Sequence, residues 1–519
     1  MTEHQDGTGP RDAAAPDGPP VTGAAGTANP AGTATPAGTA TPTGTATPTG
    51  TATPTGTAGP DAADGLERGL KNRHLQLIAI GGAIGTGLFM GAGKTISLAG
   101  PSVILVYAVI GFMLFFVMRA MGELLLSNLS YKSLRDAVSD ILGPEAGYVT
   151  GWTYWFCWIV TGMADIVAIT GYIQYWWADV PLWLPGVLTI LLLLGLNLVA
   201  VRLFGEIEFW FAIIKILAIA VLVLVGVGMV LTHFHGPGGQ AQVSNLVDHG
   251  GVFPNGFRGF LGGFQIAIFA FVGVELAGTA AAETQDPERT LPKAINAIPW
   301  RIALFYILAL AVIMMVIPWN EVASNSSPFV QMFALAGLPA AAGIVNFVVL
   351  TSAASSANSG IFSTSRMLFG LALEGAAPRA MGALSVRKVP AVALMMSVVC
   401  LVPGVVLLYA GSTVMDAFTV VTTVSSVMFM VVWTLIIVSY IVYRRRRPEL
   451  HRASSYRMPG GVVMCVVLLA FFAAMIVILA TAADTRAALA VTPVWFVVLA
   501  VGWFASGGRA AAAGRVDAA

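Results

Sequence analysis

Twelve separated runs of mostly apolar residues, each about long enough to cross a bilayer as an α-helix, leave this chain few ways to fold. They fall at approximately 76–99, 101–125, 146–176, 182–201, 207–232, 259–282, 297–319, 338–372, 390–410, 415–443, 458–482 and 489–507, and are called helices one to twelve below. Asp, Glu, Lys and Arg make up 10% of the 519 residues, against about 25% in a soluble globular chain. So few charges cannot cover a water-facing surface, so lipid must cover it. The expected fold class is an all-α integral membrane protein embedded in a lipid bilayer. The net charge of +1 gives no reason to expect a nucleic-acid partner.

Charge placement orients the helices. With the N-terminus inside and the runs alternating, only Lys94, Arg258 and Arg486 of the 27 basic residues fall outside. Cytoplasmic loops hold an excess of Lys and Arg, and an error of one helix would scramble the pattern. Both termini are therefore expected in the cytoplasm. Residues 1–65 are a different material. A six-residue Thr-Ala-Thr-Pro repeat with Gly runs from about Asn29 to Gly59, with no large apolar residue to bury. Such composition favours a disordered tail. The expected organisation is a cytoplasmic tail over 1–65, a transmembrane domain over 66–507 and a short cytoplasmic tail over 508–519. Cys157, Cys400 and Cys465 lie far apart within apolar runs and read as small hydrophobes.

Two helices carry glycine where a span should be regular. Helix one contains Gly81-Gly82-Ala83-Ile84-Gly85-Thr86-Gly87, and helix six contains Gly262-Gly263 and then Phe271-Val272-Gly273-Val274-Glu275. Irregular backbone at membrane depth persists only where it lines a cavity or is buried in protein. The two breaks lie five helices apart, an odd number, so a second copy would have inverted topology. Interrupted segments at matching positions of two inverted halves point to a transporter's binding site. Close packing through small residues is the other reading of such glycines.

At these residues the chain resembles the amino acid–polyamine–organocation superfamily, and within it the bacterial amino acid permeases. The resemblance rests on Leu66 to His74 leading into Ile80 to Phe89, on Phe269 to Glu275 followed by Glu283 to Pro287 and Leu291 to Ile295, and on Ser352 to Gly360 with Ser365 to Leu368. It implies a LeuT-like fold of about twelve helices, a five-plus-five inverted repeat and broken helices one and six. The stretches Gly151 to Trp158, Thr161 to Asp165 and Arg447 to His451 resemble members that carry small neutral amino acids such as D-serine, D-alanine and glycine.

An amino acid zwitterion needs partners for a carboxylate and an ammonium. A broken helix one offers free N–H groups and the positive end of a half-helix dipole to the carboxylate. Ala83, Ile84, Gly85, Thr86 and Gly87 are the residues assigned there, with Thr86 adding a hydroxyl donor. A broken helix six offers carbonyls around Phe271, Val272 and Gly273 to the ammonium. The resemblance implies the same roles and makes Phe269 an aromatic gate over the substrate; the alternative is that Phe269 is a core or lipid-facing residue.

Ionisable residues inside a membrane are functional by default. Lys215 lies about two turns into helix five, where the resemblance implies a proton-coupling lysine; snorkelling to the cytoplasm is the alternative. Asp165 in helix three and Glu275 in helix six are either proton-sharing groups or buried hydrogen-bond partners. Arg119 and Glu123, spaced i and i+4 in helix two, suggest a structural ion pair. Ser355, Ser356 and Asn358 would bond backbone, substrate or a neighbouring helix. Gly91 to Thr95 lacks the first glycine of a phosphate-binding loop, Leu88 standing in its place, and His233 and His235 have too few neighbours for a metal site. No catalytic cluster or cofactor site is seen, and the coupling ion expected is a proton. The function expected is secondary active import of small neutral amino acids by proton symport with alternating access; amino acid exchange, or a different amino acid, is the alternative.

Overall fold

A computed structural model describes residues 84–131, 133–199, 201–276, 286–411 and 413–505. Residues 1–83, with the Leu66 to His74 stretch and Gly81, Gly82 and Ala83 of helix one, lie outside the described residues, as do Lys132, Ala200, residues 277–285, Ser412 and residues 506–519. Among the described residues, eight helices are long and apolar enough to span a bilayer, and three shorter apolar helices join them, Trp183–Leu198, Gly256–Phe271 and Ala391–Leu407. The first of the eight, Gly91–Leu126, turns at Gly100–Ser102 and divides into the C-terminal part of helix one and helix two. Each of the twelve apolar runs thus has a helix or part of one among the described residues.

The observed boundaries follow the apolar runs closely. Helix three is Pro144–Gln174, helix eight Pro339–Leu373, helix ten Val414–Arg446, helix eleven Gly461–Thr481 and helix twelve Ala483–Ala505. Helix two is Val103–Leu126 and helix four Trp183–Val199. Helix five begins earlier than its apolar run, at Val201, and continues to Leu231. Helix seven is entered through the amphipathic segment Pro287–Asn296 and passes through a π-helical stretch at Ile302–Leu308. Helix nine is interrupted between Val399 and Val402.

Amphipathicity explains the layering. Helices three and ten are buried along most of their length, with Trp158, Ile166, Phe429, Trp433 and Tyr440 in the interior. Helices four, five, eleven and twelve present Leu191, Leu192, Leu224, Val463, Val477 and Phe504 outward. In a chain of this composition that outward apolar belt faces lipid. Helices three, eight and ten pack as the central core, and helix eight also contacts helices five and nine.

Short elements between the spans were not legible. Leu134–Leu142 forms a short helix after helix two, started by a capping box in which Asp136 N–H donates to Ser133 Oγ (3.3 Å) and Ser133 N–H to Asp136 Oδ2 (3.0 Å). Its Asp140 meets Arg447 at 2.7 Å. The guanidinium holds the Asp140 carboxyl below its ordinary range. Pro328–Leu335 is a second short helix, between helices seven and eight.

The ion pair expected within helix two does not form. Glu123 is buried and accepts from Tyr440 Oη (2.8 Å) and Met458 N–H (2.7 Å), with His451 Nδ1 at 2.5 Å. Arg119 instead donates to Asn296 Oδ1 and to the Arg457 carbonyl, and lies over the Tyr456 ring. Both charges tie the inner end of helix two to other segments rather than to each other, because partners across the bundle reach them first.

Candidate functional site

The described part of helix one begins at the bend Ile84–Gly85. Thr86–Phe89 then forms one turn that continues, past a hitch at Met90, into Gly91–Ala99. Gly85 has extended backbone (φ −130°, ψ −166°) and stands just outside the first turn, whose Leu88 and Phe89 N–H groups donate to the Gly85 carbonyl, so the Thr86 and Gly87 N–H groups have no helical partner behind them. Helix six runs regularly over Gly256–Ala267, tightens into a 3-10 turn at Ile268–Phe271 and leaves helical geometry at Val272 (ψ 135°). Gly273 follows with φ +93°, a conformation that a side chain rarely adopts. The chain breaks here because glycine permits the turn and the apolar residues around it hold it.

The two breaks meet. A Cβ on Gly87 would stand 2.5 Å from Ala270 Cα and 2.7 Å from Ala270 N, so the two backbones touch at that point. Gly87 therefore packs helix one onto helix six, which alters the reason expected for its importance: the space beside it is filled by backbone and not by substrate. Gly85 differs, since a Cβ there would find only Ser356 Oγ, 3.8 Å away. Ser352 Oγ donates to the Ile84 carbonyl at 3.4 Å, which brings helix eight to the same bend.

Around this junction Ile84, Thr86, Phe269, Phe271 and Val272 are all buried. The Phe269 ring meets Phe418 of helix ten edge to face at 6.0 Å. The Phe271 ring turns away, stacked on Tyr306 at 5.2 Å and beside Tyr107, so only its backbone borders the junction. Several carbonyls of the break already accept hydrogen bonds: Phe269 from Val272 N–H (3.1 Å), Ala270 from Tyr306 Oη (3.0 Å) and Phe271 from Val274 N–H (3.2 Å). A carbonyl has a second lone pair, so each can still receive an ammonium.

The polar side chains form a chain through five helices. Thr86 Oγ1 donates to Asp165 Oδ1 at 2.7 Å, joining helix one to helix three. That hydroxyl hydrogen was expected to serve a carboxylate of the substrate; it is committed to Asp165, which leaves the backbone N–H groups for that task. Lys215 is 3% exposed and lies within electrostatic reach of both Asp165 and Glu208. Because helix five starts at Val201, Lys215 sits about four turns in, roughly 20 Å from that end, beyond the reach of a snorkelling lysine. Glu208 accepts from Ser355 Oγ (2.6 Å) and Asn358 Nδ2 (3.0 Å) of helix eight. Asn358 Oδ1 in turn accepts from Asn197 Nδ2 of helix four at 2.8 Å. Ser355 and Asn358 thus serve a carboxylate on helix five, while Ser352 attends helix one and Ser356, beside Gly85, bonds Asp165 of helix three. Glu275 stands apart from this chain, buried beside Tyr154, whose hydroxyl donates to Oε1 at 3.4 Å.

Glu208 is the residue that sequence reasoning passed over. Its signal was available: it precedes Lys215 by seven residues, two helical turns, and so shares a face with it.

Comparison with known proteins agrees with this architecture. The family model described as amino acid permease matches residues 74–512. The D-serine/D-alanine/glycine transporter of Escherichia coli K12 is 62% identical over 452 residues, covering 87% of this chain and 96% of that protein. The amino-acid permease AapA of Bacillus subtilis is 51% identical over 84% of this chain and 94% of its own length. A probable threonine/serine transporter of the same organism, YbxG, is 41% identical over 85% and 95% of the two chains.

Proposed function

We propose that this chain, which belongs to the amino acid permease family, imports small neutral amino acids by proton symport, with glycine, D-alanine and D-serine as its substrates. The observation that carries the reading is the junction of the two helix breaks. Backbone groups border it, and Gly85 leaves room beside Ser356. A zwitterion with a small side chain fits such a place. Small size also makes handedness easy to ignore, and a relative with 62% identity bears a name that joins two D-amino acids to glycine. Ile84, Gly85, Thr86, Gly87, Phe269, Phe271, Val272 and Gly273 form the site in this reading, with Phe269 as its cover; Ala83 completes it from outside the described residues.

Lys215 carries the coupling proton in this reading. Its ammonium, flanked by Asp165 of helix three and by Glu208 of helix five, which helix eight holds through Ser355 and Asn358, draws the two carboxylates together; its neutral amine releases them, and the carrier opens inward. Asp165 and Glu275 are the secondary candidates, and of the two Asp165 is tied to the site through Thr86. No resident cofactor is required. A zwitterion travelling with one proton moves one positive charge. A potential of 100 mV then supplies about 2.3 kcal/mol, enough for roughly fiftyfold accumulation at about 1.4 kcal/mol per tenfold. Residues 66–507 constitute the permease domain in a bacterial inner membrane, flanked by cytoplasmic tails over 1–65 and 508–519.

Uptake of labelled glycine into proteoliposomes tests the reading. Accumulation is expected only with an inward proton gradient, with competition from D-alanine and D-serine and none from arginine or glutamate. Equal uptake with and without the gradient would overturn symport in favour of exchange. Effective competition by arginine would overturn the substrate class.

A further inference from the structure

We propose that Glu208 is the inner-side acceptor of the coupling proton, taking it from Lys215 and passing it to the cytoplasm. The inference rests on the proton-symport reading above and adds to it a residue and a direction. Glu208 is 4% exposed. A carboxylate that deep in a membrane protein demands compensation. It has three kinds: the Ser355 hydroxyl at 2.6 Å, the Asn358 amide at 3.0 Å and the ammonium of Lys215 two turns further along the same helix. Ser359 of helix eight also attends it. The groups facing Lys215 are Glu208 on its own helix and Asp165 on helix three, so two carboxylates flank one ammonium.

The flanking carboxylates differ in position and in what they hold. Asp165 bonds Thr86 at the helix-one break and so lies on the substrate side. Glu208 lies nearer the start of helix five, the end assigned to the cytoplasm, and binds helix eight. A proton leaving Lys215 toward the cytoplasm therefore meets Glu208. In that step an N–H bond of the ammonium breaks and an O–H bond forms on Glu208. A cation and an anion become a neutral amine and a neutral acid, and net charge is unchanged. Loss of the O–H proton to cytoplasmic water restores the carboxylate.

The transfer also has a mechanical consequence. Ser355 and Asn358 donate to an anion before the step and to a neutral acid after it. Hydrogen bonds to an ionised acceptor are roughly twice as strong as neutral ones. Neutralisation therefore loosens helix five from helix eight, and through Asn358 from Asn197 of helix four, at the moment the coupling proton departs.

Glu208→Gln keeps the shape, can still accept from the Asn358 amide and can donate to the Ser355 hydroxyl, but cannot accept a proton. In proteoliposomes it is expected to lose concentrative glycine uptake driven by a proton gradient, by about tenfold or more relative to wild type, while glycine counterflow, which needs no net proton movement, persists. Wild-type-like accumulation by this variant would overturn the proposal and leave symport standing. Absence of proton-driven accumulation in the wild type would instead remove the reading beneath it. Loss of counterflow together with accumulation, in protein that still binds glycine, would assign Glu208 to helix packing and equally overturn the proposal. If the Gln variant does not reach the membrane, Glu208→Asp decides: its carboxylate is displaced by one methylene, so the pH profile of uptake should shift. A profile superimposable on wild type would contradict the role.

Discussion

The helix-one/helix-six junction and the polar chain through helices three, five and eight lie side by side and are built on opposite principles. The junction works with backbone. Its glycines let two chains touch at Gly87 and Ala270, and its surroundings are apolar. The polar chain works with side chains: Asp165, Lys215 and Glu208 are buried ionisable groups on regular helices. Backbone can hold a zwitterion without bringing a further charge into the membrane. Side chains can gain and lose a proton, which backbone cannot. Hydrogen bonds from Thr86 to Asp165 and from Ser352 of helix eight to the Ile84 carbonyl join the two regions. The division implies that substrate recognition and proton coupling should separate by mutation, except at such links.

Gly87→Val is expected to have the largest effect. Its Cβ would lie 2.5 Å from the Ala270 backbone, which cannot yield as a side-chain tip would. Overpacking of that kind typically costs about 1–3 kcal/mol or more, so thermal stability, substrate binding and transport should fall together. A stable Gly87→Val carrier that fails only in binding would show that the space beside Gly87 belongs to substrate after all. Gly85→Val should be milder and more selective. The Gly85 backbone is extended and its Cβ position is open, so the fold should persist while glycine affinity drops by roughly tenfold to a hundredfold, about 1.4–2.7 kcal/mol. Unchanged affinity by calorimetry would move the substrate away from that bend.

Thr86→Val probes the link itself. It keeps shape and removes the donor to a buried carboxylate, an effect of about 1–3 kcal/mol. Proton-driven accumulation should decline by a larger factor than glycine binding; an equal decline would mean that the two regions are not separable. Asp140→Asn should have the smallest effect. The Asp140–Arg447 pair is ionic but partly exposed, outside the spans, and such pairs contribute up to about 1 kcal/mol. The Asp140 carboxyl lies below its ordinary range, so its contribution is present above the unfolded-state pKa and fades as the pH falls through the lowered value. Melting curves should show this small acid-side difference, and coupling in proteoliposomes should match wild type. A coupling defect in Asp140→Asn would extend the charge requirement beyond the buried chain.

What the sequence made legible follows from the range over which each signal acts. Apolar runs are local, and the twelve spans could be placed from them. The glycine breaks were local too, and the structure brings Gly87 against Ala270. Side-chain partners are not local. Thr86 and Asp165 are 79 residues apart, and Glu208 and Asn358 are 150 apart, so their pairing emerges only from packing. The misplaced ion pair of Arg119 and Glu123 has the same origin: helical spacing permits it, and more distant partners displace it. Glu208 was passed over because the apolar run suggested that helix five starts at 207, which puts a glutamate at a wet edge. With the helix starting at Val201, the same residue is two turns inside and buried. Short capped helices such as Leu134–Leu142 carry too few apolar residues to stand out beside the spans.

The separation of recognition from coupling is tested most directly by Lys215→Ala, with glycine binding and proton-driven glycine accumulation measured on the same preparation at matched protein levels. No substrate contact is assigned to this side chain, so binding should stay within a few fold of wild type, well under about 1.4 kcal/mol, while accumulation against a gradient disappears. Wild-type-like concentrative uptake by Lys215→Ala would contradict the account, leaving Asp165 and Glu275 to carry the proton. Loss of binding along with accumulation would contradict it in the other way, by placing the lysine within the substrate site.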